Sequence, residues 1–312
     1  MTLDPQVEYV LGLVEKAGYP EFWQLSAQGA RELFDKTSPV LDVKFEEVAR
    51  FEQIRVPGPA GEIRVNLYAP QPKAAGPLPL LVYFHGGGFV VGSLESYDKL
   101  CRALANRVGC LVASVDYRLA PEHKFPAAPD DCLAALCWLR EHAGEIGADA
   151  TRIAVGGDSA GGNLAAVTAL QARDAGLKLV YQLLVYPCTG ARQDEPSHFA
   201  FAEKLLLTRK NIVWFYEQYV GADSDRDDWR LAPVLALELA GVAPALVIVA
   251  GHDPLRDEGI AYAERLKAAG VPVEFTNYEG MVHGFFSLSG AIDGGKQAIA
   301  QSVAALRRAF GS

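Results

Sequence analysis

The sequence predicts an α/β protein in which helices cover both faces of a mostly parallel sheet of eight strands. Two observations support this fold class. Short runs rich in β-branched and aromatic residues alternate with helix-length stretches, and no internal repeat or low-complexity segment interrupts the alternation. A chain of 312 residues, half of them hydrophobic, can bury a large core as one domain of this class or as two smaller ones.

Eight segments have the pattern of a strand. The first two favour an antiparallel pair at a sheet edge, and from the third onward helical patterns follow the strands, as is typical of a mostly parallel sheet. The predicted strands are Phe51–Val56, Glu62–Tyr68, Leu80–Phe84, Cys110–Val115, Arg152–Val155, Tyr181–Val185, Ala245–Ala250 and Val273–Tyr278. The predicted helices between and after them are Tyr97–Arg107, Pro129–His142, Gly161–Asp174, Leu255–Ala269 and Ala298–Phe310.

Two segments fall outside this alternation. Residues 1–45 are predicted to form a helical arm that contains aromatic residues. Residues 189–232 form an insertion, and its stretch FAEKLLLTRKNIVWFYEQYV predicts a helix with Thr208 as the N-cap.

Charge and composition narrow the classes of partner. The chain has 29 basic and 38 acidic residues, a formal net charge of −9, and no cluster of Lys and Arg that could follow a phosphate backbone. We therefore expect no nucleic-acid partner. The N-terminus has acidic residues where a signal peptide needs a basic flank, and no apolar run is long enough to span a bilayer. These features predict a cytoplasmic protein that has no membrane partner.

The cysteines and histidines show no metal-binding pattern. The five cysteines and six histidines lack CxxC, Cys/His and HExxH spacings, so we expect the cysteines to be buried and reduced. The chain also lacks G-x-x-x-x-G-K-[ST] and a strand-linked G-x-G-x-x-G, which argues against a nucleotide site. We predict neither a metal nor another cofactor.

Three predicted strand ends carry reactive residues, and ligands of open parallel sheets bind beyond such ends. After Arg152–Val155 the chain reads GGDSAGGN, a G-x-S-x-G pattern whose small residues permit a sharp turn that exposes the Ser159 hydroxyl before a helix begins at Ala160. The last two strands are followed by Asp253, in GHDPLRDEG, and by His283, in EGMVHGFF. The order Ser, Asp, His predicts a nucleophilic triad.

Each of these residues has a plainer explanation when it is considered alone. The G-x-S-x-G pattern is weak in a chain with 30 glycines, His283 could be a structural core histidine, and Asp253 could cap the helix that follows it. Their joint placement at three strand ends favours catalysis. Asp257 is a rival for the acid, but it lies a helical turn past the strand end and is expected to face away.

The run LPLLVYFHGGGFVVGS ends the buried strand Leu80–Phe84 in three glycines. One glycine is enough for a turn, whereas three in succession remove every side chain, which is typical of a place where backbone N–H groups approach a ligand. The sequence thus predicts that a ligand lies close over Gly86, Gly87 and Gly88.

Taken together, the motifs resemble the hormone-sensitive-lipase family of α/β-hydrolases, the bacterial family IV carboxylesterases. The resemblance covers about residues 45–310. It rests on HGGGF at 85–89, DYRLAPEHKFPAA at 116–128, GDSAGGNLA at 157–165, DPLRDEG at 253–259 and HGF at 283–285.

This resemblance implies a serine esterase that acts on short- to medium-chain acyl esters, with Ser159, Asp253 and His283 as its triad. It implies an oxyanion hole made by the N–H groups of Gly87, Gly88 and Ala160.

The resemblance also implies a domain organisation and an assembly. The α/β-hydrolase core would comprise residues 46–188 and 233–312, and residues 1–45 and 189–232 would form a helical cap. Members of the family often dimerise through the last strand and helix, which makes a homodimer a candidate assembly.

Several alternatives stay open at this point. The same triad could cleave an amide, a formamide or a lactone. The family includes the plant gibberellin receptor, which encloses a ligand and lacks the catalytic histidine, so His283 argues against a pure binding protein. His85 and the stretch DYRLAPEHKF are interpreted as scaffold for the glycine loop. The aromatic residues Trp214, Phe215 and Tyr219 could line an acyl pocket or pack a cap helix.

Overall fold

The computed structural model describes residues 2–72 and 76–311 and contains one mixed sheet of eight strands. The strands lie in the order β1-β2-β4-β3-β5-β6-β7-β8; β2 is antiparallel to both of its neighbours, and all other neighbours are parallel. The strands are β1 Arg50–Gly58, β2 Gly61–Ala69, β3 Leu78–Phe84, β4 Leu111–Val115, β5 Ala148–Asp158, β6 Tyr181–Val185, β7 Ala245–His252 and β8 Val273–Val282. The predicted fold class, all eight strands and the antiparallel edge are confirmed.

Ten α-helices lie in the described part of the chain. They are α1 Pro5–Ala17, α2 Ala27–Thr37, α3 Asp98–Val108, α4 Ala127–Glu141, α5 Ala143–Ile146, α6 Ala160–Asp174, α7 Pro196–Ala200, α8 Arg209–Tyr219, α9 Arg256–Ala268 and α10 Asp293–Phe310. Helix α10 begins five residues before the predicted Ala298, because Gly294 and Gly295 are helical. A Cβ at either glycine would crowd Met281 or the Phe285 carbonyl, so close packing explains why glycines occupy this turn.

The sheet separates two hydrophobic cores. Along β3, Val82 and Phe84 face one core while Leu81 and Tyr83 face the other, as the two-residue period of a strand requires. Helices α4, α6 and α9 cover the first face, and α1, α3 and α10 cover the second. Both faces of the central strands are therefore buried, which explains their continuous apolar runs.

The arm crosses the carboxyl-end side of the sheet and is held to it by hydrogen bonds. The Asp4 N–H donates to the Gly280 carbonyl at 3.0 Å, and the Arg31 guanidinium donates to the Val90 and Ala120 carbonyls at 2.9 and 2.8 Å. The arm therefore contacts both β8 and the loop that follows β3.

The insertion contains α7 and α8. Thr208 is the N-cap of α8, as predicted, and its hydroxyl accepts a hydrogen bond from the Asn211 N–H at 3.3 Å. The same hydroxyl donates to Glu21 of the arm at 2.6 Å, and the rings of Phe22 and Phe215 lie 5.7 Å apart. The arm and the insertion thus meet each other on the same side of the sheet.

Candidate active site

Ser159 lies in a tight turn between β5 and α6. Its φ of 57° and ψ of −119° are rare for a residue with a side chain and are typical of a nucleophile elbow. The flanking glycines are sterically required. A Cβ at Gly157 would overlap the backbone of Gly161, and a Cβ at Gly161 would overlap the Phe84 carbonyl oxygen. The G-x-S-x-G spacing therefore lets two strand ends and a helix meet at the serine.

Hydrogen bonds join the three predicted triad residues. His283 Nε2 lies 2.9 Å from Ser159 Oγ, and His283 Nδ1 lies 2.7 Å from Asp253 Oδ2. The Asp253 side chain is fully buried and that of His283 is 11% exposed. Because the Asp253 carboxylate accepts a hydrogen bond from His283 Nδ1, the neutral His283 ring carries its proton on Nδ1. His283 Nε2 is then free to accept the serine proton.

Asp253 also caps the helix that follows it. Its second oxygen, Oδ1, accepts the Leu255 N–H at 2.8 Å just before α9. The rival acid, Asp257, binds the Ser197 N–H at 2.9 Å and the Arg256 guanidinium at 2.8 Å. Asp257 therefore faces the insertion, as expected, and not His283.

The glycine loop, residues 85–92, and the elbow present free N–H groups. Among residues 2–72 and 76–311, the N–H groups of Gly87, Gly88 and Ala160 have no hydrogen-bond acceptor. Gly87 and Gly88 line the same cavity as Ser159 and have φ values of 121° and 59°. A Cβ at Gly87 would overlap the Val91 carbonyl oxygen, and a Cβ at Gly88 would overlap the Phe215 ring. The three-glycine run is therefore explained by close packing and by free N–H donors.

A buried carboxylate connects the elbow to the glycine loop. Asp158 accepts hydrogen bonds from the hydroxyls of Tyr83 and Tyr97, both at 2.9 Å, and the Tyr97 hydroxyl accepts the Gly86 N–H at 3.0 Å. Burial raises the pKa of the Asp158 carboxyl to about 6, and the two tyrosine hydrogen bonds oppose that rise. The network therefore links Asp158, next to Ser159, to Gly86 of the glycine loop.

His85 is packed under the glycine loop. The His85 ring stacks on the Tyr117 ring with centroids 4.4 Å apart, and His85 Nδ1 lies 2.8 Å from the Gly86 carbonyl oxygen. The Tyr117 hydroxyl donates to the His85 backbone carbonyl at 2.7 Å. The Arg118 guanidinium donates two hydrogen bonds to buried Asp131, at 2.8 and 2.7 Å, and the Arg118 backbone N–H donates a third at 3.0 Å. These contacts support the interpretation of His85 and the DYRLAPEHKF stretch as scaffold.

A cavity of about 1090 Å³ lies over Ser159 and His283. The glycine loop and the elbow form its floor. The arm and the insertion form its roof, whose apolar side chains include Phe22, Leu33, Phe34, Leu207 and Phe215. Of Trp214, Phe215 and Tyr219, which could line an acyl pocket, Phe215 alone lines this cavity. Trp214 and Tyr219 pack elsewhere, and Tyr219 stacks on Phe89 at 4.1 Å.

The arm also brings an acid to this cavity. Asp42 lines it, is 8% exposed and has one hydrogen bond in the described structure, which it accepts from the Val43 N–H at 2.6 Å. Desolvation raises the pKa of its carboxyl to about 7.

Sequence reasoning missed Asp42, Tyr83 and Tyr97. The one local sequence feature that points to the tyrosine network is Asp158, which precedes the serine in GDSAGG and accepts the hydrogen bonds of both tyrosines.

Four of the five cysteines are buried free thiols, but Cys137 is exposed on the outer face of α4, which corrects the expectation that all five are buried. No cluster of three or more His, Cys, Asp or Glu side chains in the described chain is arranged to hold a metal ion. None of the helices that the structure describes has the length and apolar character required to cross a membrane.

Comparison with known proteins extends these observations. A family profile described as the alpha/beta hydrolase fold matches residues 81–287. The carboxylic ester hydrolase LipN of Mycobacterium tuberculosis is 46% identical over 81% of this chain and 69% of its own length. The ethyl acetate hydrolase of Pseudomonas putida is 38% identical, and the match covers 99% of both chains.

Solved structures are equally similar. An ester hydrolase from the metagenome of Lake Arreo, EH1AB1, in complex with a bipyridine phosphonate derivative, superimposes with a TM-score of 0.96 at 45% identity over 100% of both chains. The hyperthermophilic esterase of Pyrobaculum calidifontis superimposes with a TM-score of 0.93 at 40% identity over 99% of both chains.

Proposed function

This chain belongs to the hormone-sensitive-lipase family of carboxylesterases, which have the α/β-hydrolase fold, and we propose that it hydrolyses esters through an acyl-enzyme on Ser159. The observation that carries this proposal is the continuous hydrogen-bonded chain from Ser159 through His283 to buried Asp253.

The geometry supports a two-step reaction. His283 Nε2 takes the Ser159 proton as Oγ attacks the ester carbonyl, and the resulting imidazolium returns that proton to the departing alcohol. Water then attacks the acyl-enzyme with the same histidine as base, which releases the acid and restores Ser159. Asp253 keeps the ring in the tautomer that both steps require and stabilises the imidazolium.

The free N–H groups of Gly87, Gly88 and Ala160 are assigned to the oxyanion. Each tetrahedral intermediate places negative charge on the former carbonyl oxygen, and donors that are already oriented stabilise that charge without reorganisation. The Ala160 N–H is also at the first turn of α6, where the helix dipole favours an anion. A comparable donor contributes about 3–4 kcal/mol to the transition state.

We further propose that residues 1–45 and 189–232 act as a cap over the core formed by residues 46–188 and 233–312. The contacts between Phe22 and Phe215 and between Glu21 and Thr208 join the two segments above Ser159. Their apolar side chains would hold the acyl or alkyl part of an ester and limit the access of water.

Short- to medium-chain acyl esters are the proposed substrates. A cavity of about 1090 Å³ is larger than a small ester needs, and its roof is mainly apolar. The Pseudomonas putida relative, which matches over 99% of its length, is named for the hydrolysis of ethyl acetate, and this name supports activity on the shortest acyl groups as well.

The test is a panel of initial rates. p-Nitrophenyl esters of increasing acyl length are compared with a matched anilide and a lactone, and the protein is separately treated with a fluorophosphonate. We expect the fastest turnover on esters of two to about eight carbons and a single phosphonyl adduct on Ser159, identified by peptide mass spectrometry. Faster turnover of the anilide or the lactone, or an adduct elsewhere, would contradict the proposal.

A homodimer through β8 and α10 is proposed from the family resemblance. Strand β8 is the last strand of the sheet and pairs with β7 alone among the described strands, so its outer edge can pair with a second copy along the part that precedes the Asp4 contact at Gly280. Light scattering coupled to size-exclusion chromatography should give twice the 33.6 kDa chain mass, and the mass of one chain would contradict the dimer.

A further inference from the structure

The acid loop, here residues 253–258, comprises the turn after β7 and the first three residues of α9, and it contains more than the triad aspartate. Its DPLRDE sequence follows β7, and Asp253 is its one triad residue. The other polar groups of the loop face α7 of the insertion. Ser197, in α7, is fully buried and bonds to the acid loop through both its backbone and its side chain.

One peptide unit links Ser197 to the triad. The Ser197 hydroxyl donates to the Pro254 carbonyl at 2.6 Å. The same peptide, on its other side, supplies the Leu255 N–H that donates to Asp253 Oδ1 at 2.8 Å. Asp253 Oδ2 then accepts from His283 Nδ1 at 2.7 Å. A continuous chain of hydrogen bonds therefore runs from the insertion through one peptide to the histidine, and such chains polarise and orient their members.

The direction of the Ser197 hydroxyl is determined by its surroundings. Its oxygen accepts the Asp257 N–H at 3.2 Å, and the Ser197 N–H donates to Asp257 Oδ2 at 2.9 Å. With that N–H on one side of the oxygen, the hydroxyl proton is directed to the Pro254 carbonyl.

Neighbouring contacts hold α7 in this position. His198 and Glu258 are buried, and His198 Nε2 lies 3.4 Å from Glu258 Oε2, an ion-pair distance longer than an ordinary charge-assisted hydrogen bond. The Thr189 N–H donates to Glu258 Oε1 at 2.7 Å, and the Thr189 hydroxyl donates to the Glu258 carbonyl at 2.7 Å. These bonds attach the insertion to α9, but they do not lead to Asp253.

We propose that Ser197 is a positioning residue for the triad, which holds the 254–255 peptide so that its N–H fixes the Asp253 carboxylate against His283. This inference rests on the proposed function of Ser159, Asp253 and His283. It gives the insertion a role in catalysis in addition to covering the cavity.

The test compares Ser197→Ala with Thr189→Val. Both substitutions remove a buried hydroxyl that joins the insertion to a carbonyl after β7, and both remaining side chains fit the space, so each should lower stability to a similar extent. We expect Ser197→Ala to lower kcat about tenfold on p-nitrophenyl butyrate with KM within twofold, because a small displacement of the acid misaligns the base. Thr189→Val should keep kcat within twofold of the parent.

A spectroscopic measurement separates this proposal from the function on which it rests. The proton between His283 Nδ1 and Asp253 should give a far-downfield ¹H NMR resonance, identified by its absence in His283→Gln. We expect this resonance to shift or broaden in Ser197→Ala and to stay unchanged in Thr189→Val, whether or not the parent hydrolyses the ester. Equal kcat losses in the two variants, or an unchanged resonance in Ser197→Ala, would overturn the role of Ser197. A parent that lacks esterase activity would overturn the proposed function instead.

Discussion

The floor and the roof of the cavity are built in different ways. On the floor, neighbouring backbone segments approach so closely that glycine is required, and a Cβ at Gly87 or Gly161 would overlap a carbonyl oxygen. On the roof, side chains such as Phe22 and Phe215 make the contacts. Backbone packing gives the floor a geometry that few substitutions can preserve, whereas the roof can exchange one side chain for another. We therefore expect floor substitutions to act mainly on kcat and roof substitutions on substrate preference and stability.

Ser159→Ala should have the largest effect. Removing the nucleophile leaves the cavity and the oxyanion donors in place, so kcat should fall at least about 10⁴-fold, by comparison with other serine hydrolases. Circular dichroism and the thermal midpoint should stay close to those of the parent. The measurement is the steady-state rate on p-nitrophenyl butyrate, and a variant that keeps a tenth of the parent kcat would refute the triad.

Gly87→Ala should have the next largest effect. The new Cβ must displace the Val91 carbonyl, which moves an oxyanion donor, and kcat should fall about 10²–10³-fold with a smaller change in KM. Gly109→Ala is the matched control. Gly109 also has a positive φ, of 79°, but nothing lies within 4 Å of its Cβ position. The control should lose stability through backbone strain and keep its kcat. Equal kcat losses in Gly87→Ala and Gly109→Ala would mean that Gly87 serves only as a turn residue.

Gly88 lies where the floor meets the roof. The Phe215 ring occupies the space that a Cβ at Gly88 would need. Gly88→Ala should therefore lower kcat, and adding Phe215→Ala to that variant should restore part of the lost kcat. We expect a coupling of about tenfold in kcat/KM from the double-mutant cycle.

The same cycle with Gly87→Ala and Phe215→Ala should show no coupling, because the obstruction at Gly87 is backbone. Coupling in both cycles would mean that the Phe215 side chain also influences the backbone position at Gly87.

The floor could be predicted from the sequence to a much greater extent than the roof. Glycines and small residues mark the positions where backbone segments must meet, so HGGGF and GDSAGG located the site, and strand ends located Asp253 and His283. The contacts of Ser197 and Asp42 leave no such local signal. Ser197 meets Asp257 sixty residues further along the chain, and this contact depends on how the insertion docks. Buried polar pairs of this kind are set by tertiary packing, which a single sequence does not display.

Asp42 is a buried acid in the mainly apolar roof, and Asp42→Asn should have the smallest effect on catalysis. Burial raises the pKa of the Asp42 carboxyl from 3.8 to about 7 in the folded protein. The folded state therefore favours the protonated acid. The stability that this preference contributes is complete below about pH 4 and is lost as the pH rises through 7. Asparagine keeps an oxygen that can accept the Val43 N–H and never ionises. At pH 8 Asp42→Asn should be more stable than the parent by up to about 4 kcal/mol, and near pH 4 the two should be nearly equal.

Urea unfolding of both proteins at several pH values between 4 and 8 measures this difference. Asp158, whose carboxyl pKa is raised to about 6, titrates in the same range in both proteins. Its charge contributes less to the raised pKa of Asp42 than burial does, so the comparison reports mainly on the Asp42 carboxyl. Activity on p-nitrophenyl butyrate should stay within about twofold of the parent, because Asp42 lies in the roof and its side-chain hydrogen bond goes to Val43 and not to a triad residue. A stability difference that does not change with pH would show that the Asp42 carboxyl ionises as freely as it does in water, and the roof would then be wetter at the arm than its apolar lining indicates.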